Sequence, residues 1–168
     1  MNEAHLHLLV NHVPVIGALV SLFALAVALF WKSADFQKSA LIMALIFGLT
    51  AIPAYFSGEA AEELIEDQKN VSHELVENHE EAAKLATIAA IVSGLVAGGA
   101  LILKNARGAG MAAATVLFLV TVILMARAAN SGGQIMHPEI RGDTARYGAE
   151  QDISTDDTKS EEEPDHHD

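Results

Sequence analysis

Residues 8–31 read LLVNHVPVIGALVSLFALAVALFW, an apolar run with no Asp, Glu, Lys or Arg. A helix needs about 20 such residues to cross roughly 30 Å of hydrocarbon, and a buried helix of a soluble domain is shorter. Three more runs are comparably apolar and cover residues 39–56, 82–103 and 109–130. The sequence therefore predicts an all-α integral membrane protein whose four spans form an antiparallel four-helix bundle.

The charge of the chain is concentrated outside these runs. The 168 residues are 51% apolar, yet 22 acidic and 10 basic side chains leave a formal charge of −12. Nine acids lie between residues 57 and 81, and 11 lie from residue 139 onward. This balance argues against nucleic acid as a partner, because phosphate binding depends on Lys and Arg. The absence of Cys excludes disulfides, thiolate metal sites and haem attached through thiols.

The basic residues predict the orientation in the membrane. The two short loops that follow the first and third spans contain Lys32, Lys38, Lys104 and Arg107. The positive-inside rule places these loops in the cytoplasm. We therefore expect a multi-pass protein of the bacterial inner membrane with both termini and the acidic loop on the outer, periplasmic side. Residues 1–141 form the transmembrane domain, and residues 142–168 form an acidic tail with too little apolar surface to fold.

Small residues and prolines indicate how the spans are shaped. The third span has a small-residue stripe that includes Gly94 and Gly98 in a GxxxG pattern, which suits close helix packing within the bundle or in a homodimer. Pro14 and Pro53 each remove a backbone donor, so we expect kinks near the outer ends of the first two helices. Gly132 and Gly133 are expected to end the fourth helix and let the chain fold back.

The eight histidines all lie on or near the predicted outer side. His12 lies inside the first apolar run, where an ionisable group is costly and suggests a function. Imidazoles from facing helices suit bis-histidine ligation of haem b, since the cores of helix bundles hold cofactors. We predict one or two haem b groups, with axial candidates His12, His79 and His137 and further candidates His5 and His73. Arg127 and Arg141 are candidates to bind the propionates.

An apolar slot for this haem is expected among side chains of the first two spans: Val13, Ile16, Leu19, Phe23 and Phe56. The rival interpretation of the same histidines is a Zn or Cu site that adds a carboxylate such as Glu59 or Glu80. No HExxH motif supports a hydrolytic metal site. A third interpretation is a non-redox accessory or assembly subunit whose histidines hydrogen-bond across helices.

Four stretches of the chain resemble a family of small bacterial four-span membrane proteins with the motifs NHxPxxG and GGxIxHPEIR. The stretches are HLHLLVNHVPVIG (residues 5–17), AIPAYFSGEAAEE (51–63), VENHEEAAKLA (76–86) and GGQIMHPEIR (132–141). The family is similar to b-type cytochrome membrane subunits of electron-transfer systems. The resemblance implies that His12, His79 and His137, with His5 close behind, are the positions of interest.

Together these observations predict a membrane-embedded haem protein that carries electrons near the periplasmic face, alone or within a larger complex. This favours an electron-transfer protein or subunit over a stand-alone enzyme. The acidic outer face suits a positively charged c-type cytochrome or another redox subunit. Membrane lipid, a quinone and a second copy of the chain are the other candidate partners.

Overall fold

The structure is a computed structural model that describes residues 3–65 and 73–141. These residues form helices and short 3-10 turns, with no strand among them, so the all-α prediction is confirmed. The α-helices are α1 (Glu3–Val10), α2 (His12–Phe30), α3 (Ala34–Leu49), α4 (Ala51–Ile65), α5 (His73–Ile102) and α6 (Arg107–Met136). The predicted acidic tail, residues 142–168, lies outside the described residues.

Four helical segments of the described chain are long and apolar enough to cross a membrane, as predicted. α1 with α2 forms the first and α3 with α4 the second, while α5 and α6 account for the other two. Their large apolar side chains face outward: Phe23 is 72% exposed and Phe30 is 86% exposed. The interior is built mainly from alanine. This distribution is typical of helices that pack through small residues and are surrounded by lipid.

The first two segments are both interrupted four residues before a proline. α1 ends at Val10, four residues before Pro14, and α3 ends at Leu49, four residues before Pro53. A proline has no N–H to donate to that carbonyl, and its ring presses against it, so the helix breaks there. The two prolines thus divide each segment into a longer helix and a shorter helix. The two shorter helices, α1 and α4, pack against each other.

Glycines let α3 and α5 approach closely in the middle of the bundle. A Cβ added to Gly48 would lie 2.6 Å from the Ala90 carbonyl oxygen and 2.8 Å from the Gly94 Cα. A Cβ on Gly98 would lie 3.2 Å from a methyl group of Leu45. Both glycines of the GxxxG pattern therefore contact α3 of the same chain.

α5 and α6 pack along most of their length. Residues early in α5 contact residues late in α6, and Ser93 and Thr121 share a fully buried hydrogen bond of 2.9 Å between their hydroxyl oxygens. Around the bundle, α2 contacts α3 and α6, and α3 also contacts α5.

The end of α6 differs from the prediction. The helix does not stop at Gly132 and Gly133 but continues to Met136, and the chain then turns back in a 3-10 turn, Pro138–Arg141. Both glycines keep helical hydrogen bonding and serve as contact points: Gly132 faces the His79 ring and Gly133 faces Ile140. Packing, rather than helix termination, explains why glycine is placed there.

Candidate functional site

His79 is half-buried near the N-terminus of α5 and is held against α6. Its Nδ1 lies 3.0 Å from the Ala128 carbonyl oxygen and 3.3 Å from the Ser131 hydroxyl. Since a carbonyl only accepts hydrogen bonds, Nδ1 carries the proton and donates it to Ala128. Gly132 lies flat against the ring, and a Cβ there would be 2.9 Å from the His79 Cε1.

His7 is half-buried on α1 and is held against α4 in the same way. Its Nδ1 lies 3.1 Å from the Ser57 hydroxyl, and that hydroxyl donates a 2.8 Å hydrogen bond to the Ala54 carbonyl. The Ala54 carbonyl also lies near enough to the ring to interact with it. A Cβ on Gly58 would be 3.1 Å from the His7 Cε1.

The two histidine contacts are two copies of one arrangement, which we call the histidine clasp. In each copy a histidine on an earlier helix meets the sequence A-x-x-S-G on a later helix. The sequence is AYFSG at residues 54–58 and AANSG at residues 128–132. The serine hydroxyl donates to the alanine carbonyl three residues earlier, at 2.8 Å in the first clasp and 2.9 Å in the second. The glycine leaves room for the imidazole.

The clasps bring the two imidazoles to one end of the bundle. α4, which holds His7, also packs against α5, which carries His79. His7 and His79 lie close enough to interact electrostatically. In the described part of the chain each ring is hydrogen-bonded through Nδ1, and Nε2 is the nitrogen through which it could bind a ligand.

His12, the most heavily weighted histidine of the sequence analysis, lies elsewhere. Its ring is exposed, and Nδ1 donates a 2.6 Å hydrogen bond to the Leu8 carbonyl of the same helical segment. The structure thus turns His12 outward, while His79 is enclosed between helices. The other predicted histidines, His5, His73 and His137, are exposed as well.

The two candidate arginines differ in their surroundings. Arg127 is exposed on α6. Arg141 is half-buried because the 3-10 turn carries it back along α6, where a terminal nitrogen donates a 3.3 Å hydrogen bond to the Ile135 carbonyl. Its Nε is buried and has no partner among the described residues. Arg141 therefore retains an unused donor at the end of the bundle where the clasps lie.

Two features expected around these histidines are not seen. The side chains predicted to line a haem slot are all exposed on the outside of the bundle, namely Val13, Ile16, Leu19, Phe23 and Phe56. The four on α2 face outward because mainly small residues, such as Gly17, Ala18 and Ser21, occupy the buried stripe of that helix. Among residues 3–65 and 73–141, no three His, Asp or Glu side chains come together in a group that could hold a metal ion.

His7 was not among the residues predicted from the sequence. A signal for it was present, since the sequence A-x-x-S-G occurs twice, on α4 and on α6, and each copy follows a segment that contains histidine. Neither the spacing nor the composition shows which histidine meets which serine, because the residues of each clasp are about 50 positions apart. Contacts at that separation come only from the fold.

Comparison of the chain with protein-family models, with curated proteins and with solved structures finds no match. The family resemblance of its motifs stays a prediction, and the function is argued from the clasps themselves.

Proposed function

We propose that the chain is a b-type haem protein of the bacterial inner membrane, with His7 and His79 as the axial ligands. The observation that supports this most strongly is the pair of clasps. Each orients an imidazole through Nδ1, and metal-ligating histidines commonly donate the N–H of one ring nitrogen to the protein while the other nitrogen binds the metal. His79 was expected as a ligand, and His7 takes the place that the sequence analysis assigned to His12.

The number of donors favours haem over Zn or Cu. A structural Zn site uses four protein ligands, and a catalytic one keeps three. In haem the porphyrin supplies four nitrogens, so the protein needs to add only two imidazoles. Two matched histidines without a third donor among the described residues fit that requirement.

The chain's own residues would bind and orient the group. The Nε2 atoms of His7 and His79 would donate their lone pairs to the iron, and Arg141 has an unpaired buried Nε for a propionate. Bound haem supplies one-electron redox chemistry. The protein tunes it through burial and through the hydrogen bonds on Nδ1 of each ligand.

We further propose that the clasps lie at the periplasmic end of an antiparallel bundle. Residues early in α5 contact residues late in α6, which supports antiparallel packing. Four cations in and beside the short connections at the other end support the orientation. His7 and His79 both lie roughly 20 Å from the middle of their apolar runs at 1.5 Å per residue. Since the hydrocarbon ends about 15 Å from the midplane, the pair lies at the level of the lipid headgroups.

This location suits exchange of electrons with a partner outside the membrane. Exposed carboxylates of α4 and α5 lie at this same end of the bundle. They include Glu59, Glu74 and Glu77. A basic c-type cytochrome or another redox subunit with a positive patch fits this surface, and electrostatic steering would speed its approach at low salt. A quinone and a second copy of the chain remain candidate partners on the lipid-facing sides.

The absorption spectrum of the purified protein tests the proposal. Protein from haem-replete cells should show a Soret band and a sharp reduced α-band. His7→Ala and His79→Ala should each abolish or shift these bands, whereas the matched control His12→Ala should leave them unchanged. A colourless wild-type preparation, or a spectrum that depends on His12 and not on His7, contradicts the proposal.

A second candidate function follows from the clasps as packing devices. Each clasp joins two helices through residues about 50 positions apart, so the histidines could serve a non-redox accessory or assembly subunit by fixing its helices. His79→Asn separates the two functions, because an asparagine amide can still donate to the Ala128 carbonyl but cannot ligate iron. If the protein is colourless and His79→Asn keeps wild-type stability while His79→Ala loses it, the packing function is supported.

A further inference from the structure

The two clasps share a plan but differ in the atom that receives the histidine proton. In the second clasp the closest partner of His79 Nδ1 is a backbone carbonyl, at 3.0 Å, and the Ser131 hydroxyl is more distant, at 3.3 Å. In the first clasp the closest partner of His7 Nδ1 is a side chain, the Ser57 hydroxyl at 3.1 Å. The Ala54 carbonyl also interacts with the His7 ring, but the serine is the closest hydrogen-bond partner of His7, whereas a backbone carbonyl is the closest partner of His79.

The Ser57 hydroxyl has a single proton, and the direction of that proton decides which ring nitrogen of His7 is protonated. That proton is directed at the Ala54 carbonyl, 2.8 Å away, which can only accept it. The Ser57 oxygen can then only accept a hydrogen bond from His7. Nδ1 of His7 must therefore carry a proton and donate it to Ser57. Nε2 is left as the atom with the free lone pair.

We propose that Ser57 is a positioning residue that holds His7 in its Nδ1–H tautomer with the Nε2 lone pair presented to the ligand. This inference rests on the proposed function for its consequence, because a haem ligand must offer Nε2. The tautomer itself is a property of the chain with or without haem. Ser131 has a smaller role, since the Ala128 carbonyl fixes the tautomer of His79 by itself.

The variants Ser57→Ala, Ser131→Ala and Ser57→Thr test this assignment in the full chain. Ser39→Ala is the matched control, because Ser39 also donates to a backbone carbonyl of its own helix, that of Asp35 at 3.0 Å, and lies on α3, far along the chain from both clasps. Ser57→Thr keeps the hydroxyl and should restore the wild-type behaviour. Ser131→Ala should have a much weaker effect than Ser57→Ala.

If the purified protein carries haem, the reduction potential is the readout. The Nδ1–H bond to Ser57 makes His7 a stronger donor, which favours the oxidised iron. Ser57→Ala should retain the haem and raise its potential, Ser57→Thr should return the potential to the wild-type value, and Ser39→Ala should not change it. An unchanged potential in Ser57→Ala overturns the inference while the haem itself supports the proposed function.

If the protein is colourless, the proposed function fails and the tautomer is read directly. Nitrogen-15 NMR of histidine-labelled protein, with His7 assigned through His7→Gln, reports which ring nitrogen carries the proton. Ser57→Ala should change the His7 tautomer ratio roughly fivefold towards Nε2–H, the shift that one ordinary hydrogen bond supports. Equal ratios in the wild type and in Ser57→Ala overturn the inference.

Discussion

His7 and His79 are distinguished from the other described histidines by enclosure. Both are half-buried against a glycine and both present Nδ1 to a neighbouring helix, while His5, His12, His73 and His137 have exposed rings. Enclosure matters because a ring held on one face and at one nitrogen loses little further freedom when its other nitrogen binds a ligand. The glycine is as much a part of this arrangement as the serine, since any side chain there would meet the imidazole.

At the residue scale, Gly132→Ala should disturb His79. The new Cβ would lie 2.9 Å from the ring, which is already bonded to Ala128 and must move to make room. We expect a weakened or shifted haem spectrum in this variant. The adjacent Gly133→Ala is the control, because its Cβ meets only the end of the flexible Ile140 side chain at 3.3 Å. A spectrum equally altered in both variants would show that the His79 contact is not the cause.

At the scale of the elements, close approach of α3 and α5 depends on the absence of side chains. Gly48 faces the Ala90 carbonyl and the Gly94 backbone, and neither can move away as a side chain could. In lipid, such contacts supply much of the packing energy, since there is little hydrophobic drive between helices. The stripe of small residues on α5 thus packs against α3 of the same chain.

Gly48→Ala should therefore destabilise the folded bundle by about 1–3 kcal/mol, the usual cost of overpacking. Gly99→Ala is its matched control, because a Cβ on Gly99 meets nothing within 4 Å and alanine is the better helix former. The free energies of unfolding can be compared by SDS titration in mixed micelles. Equal stability of the two variants would contradict the tight packing of α3 against α5.

At the scale of the whole molecule, charge and chemistry divide between the two ends of the bundle. One end has the cations in and beside the two short connections, and in the first turns of α3 Lys38 lies 3.6 Å from Asp35. The other end has both histidine clasps and the exposed carboxylates of α4 and α5. Because the charges are segregated, each end suits a distinct set of partners. The orientation in the membrane therefore decides which partners the clasps can meet.

The chain contains no cysteine, so single introduced cysteines can report that orientation. Glu77→Cys lies at the clasp end and Asn105→Cys lies in the connection before α6, and both positions are exposed. A membrane-impermeant maleimide added to intact spheroplasts should label the Glu77→Cys protein and should label Asn105→Cys only after permeabilisation. The reverse labelling pattern would place the clasps in the cytoplasm and exclude a periplasmic partner.

The sequence by itself determined the all-α class, the four segments able to span a membrane and the breaks near Pro14 and Pro53. These features depend on local composition and on the missing N–H of proline, which act within one or two helical turns. Helix ends were less predictable, as Gly132 and Gly133 show, because glycine serves packing as readily as termination. The small-residue stripe of α5 was visible in the sequence, but the exposure of Phe23 and its neighbours followed only from the packed bundle.

The tertiary structure alone decided which histidines are enclosed. His12 looked like the functional residue because it interrupts an apolar run, yet its ring faces outward and bonds to the Leu8 carbonyl of the same helical segment. His7 and His79 are placed by Ser57 and by Ala128, partners about 50 residues away in the chain. Such pairings depend on how the helices are rotated about their axes against each other. That rotation is set by small-residue packing across the whole bundle, which no short stretch of sequence specifies.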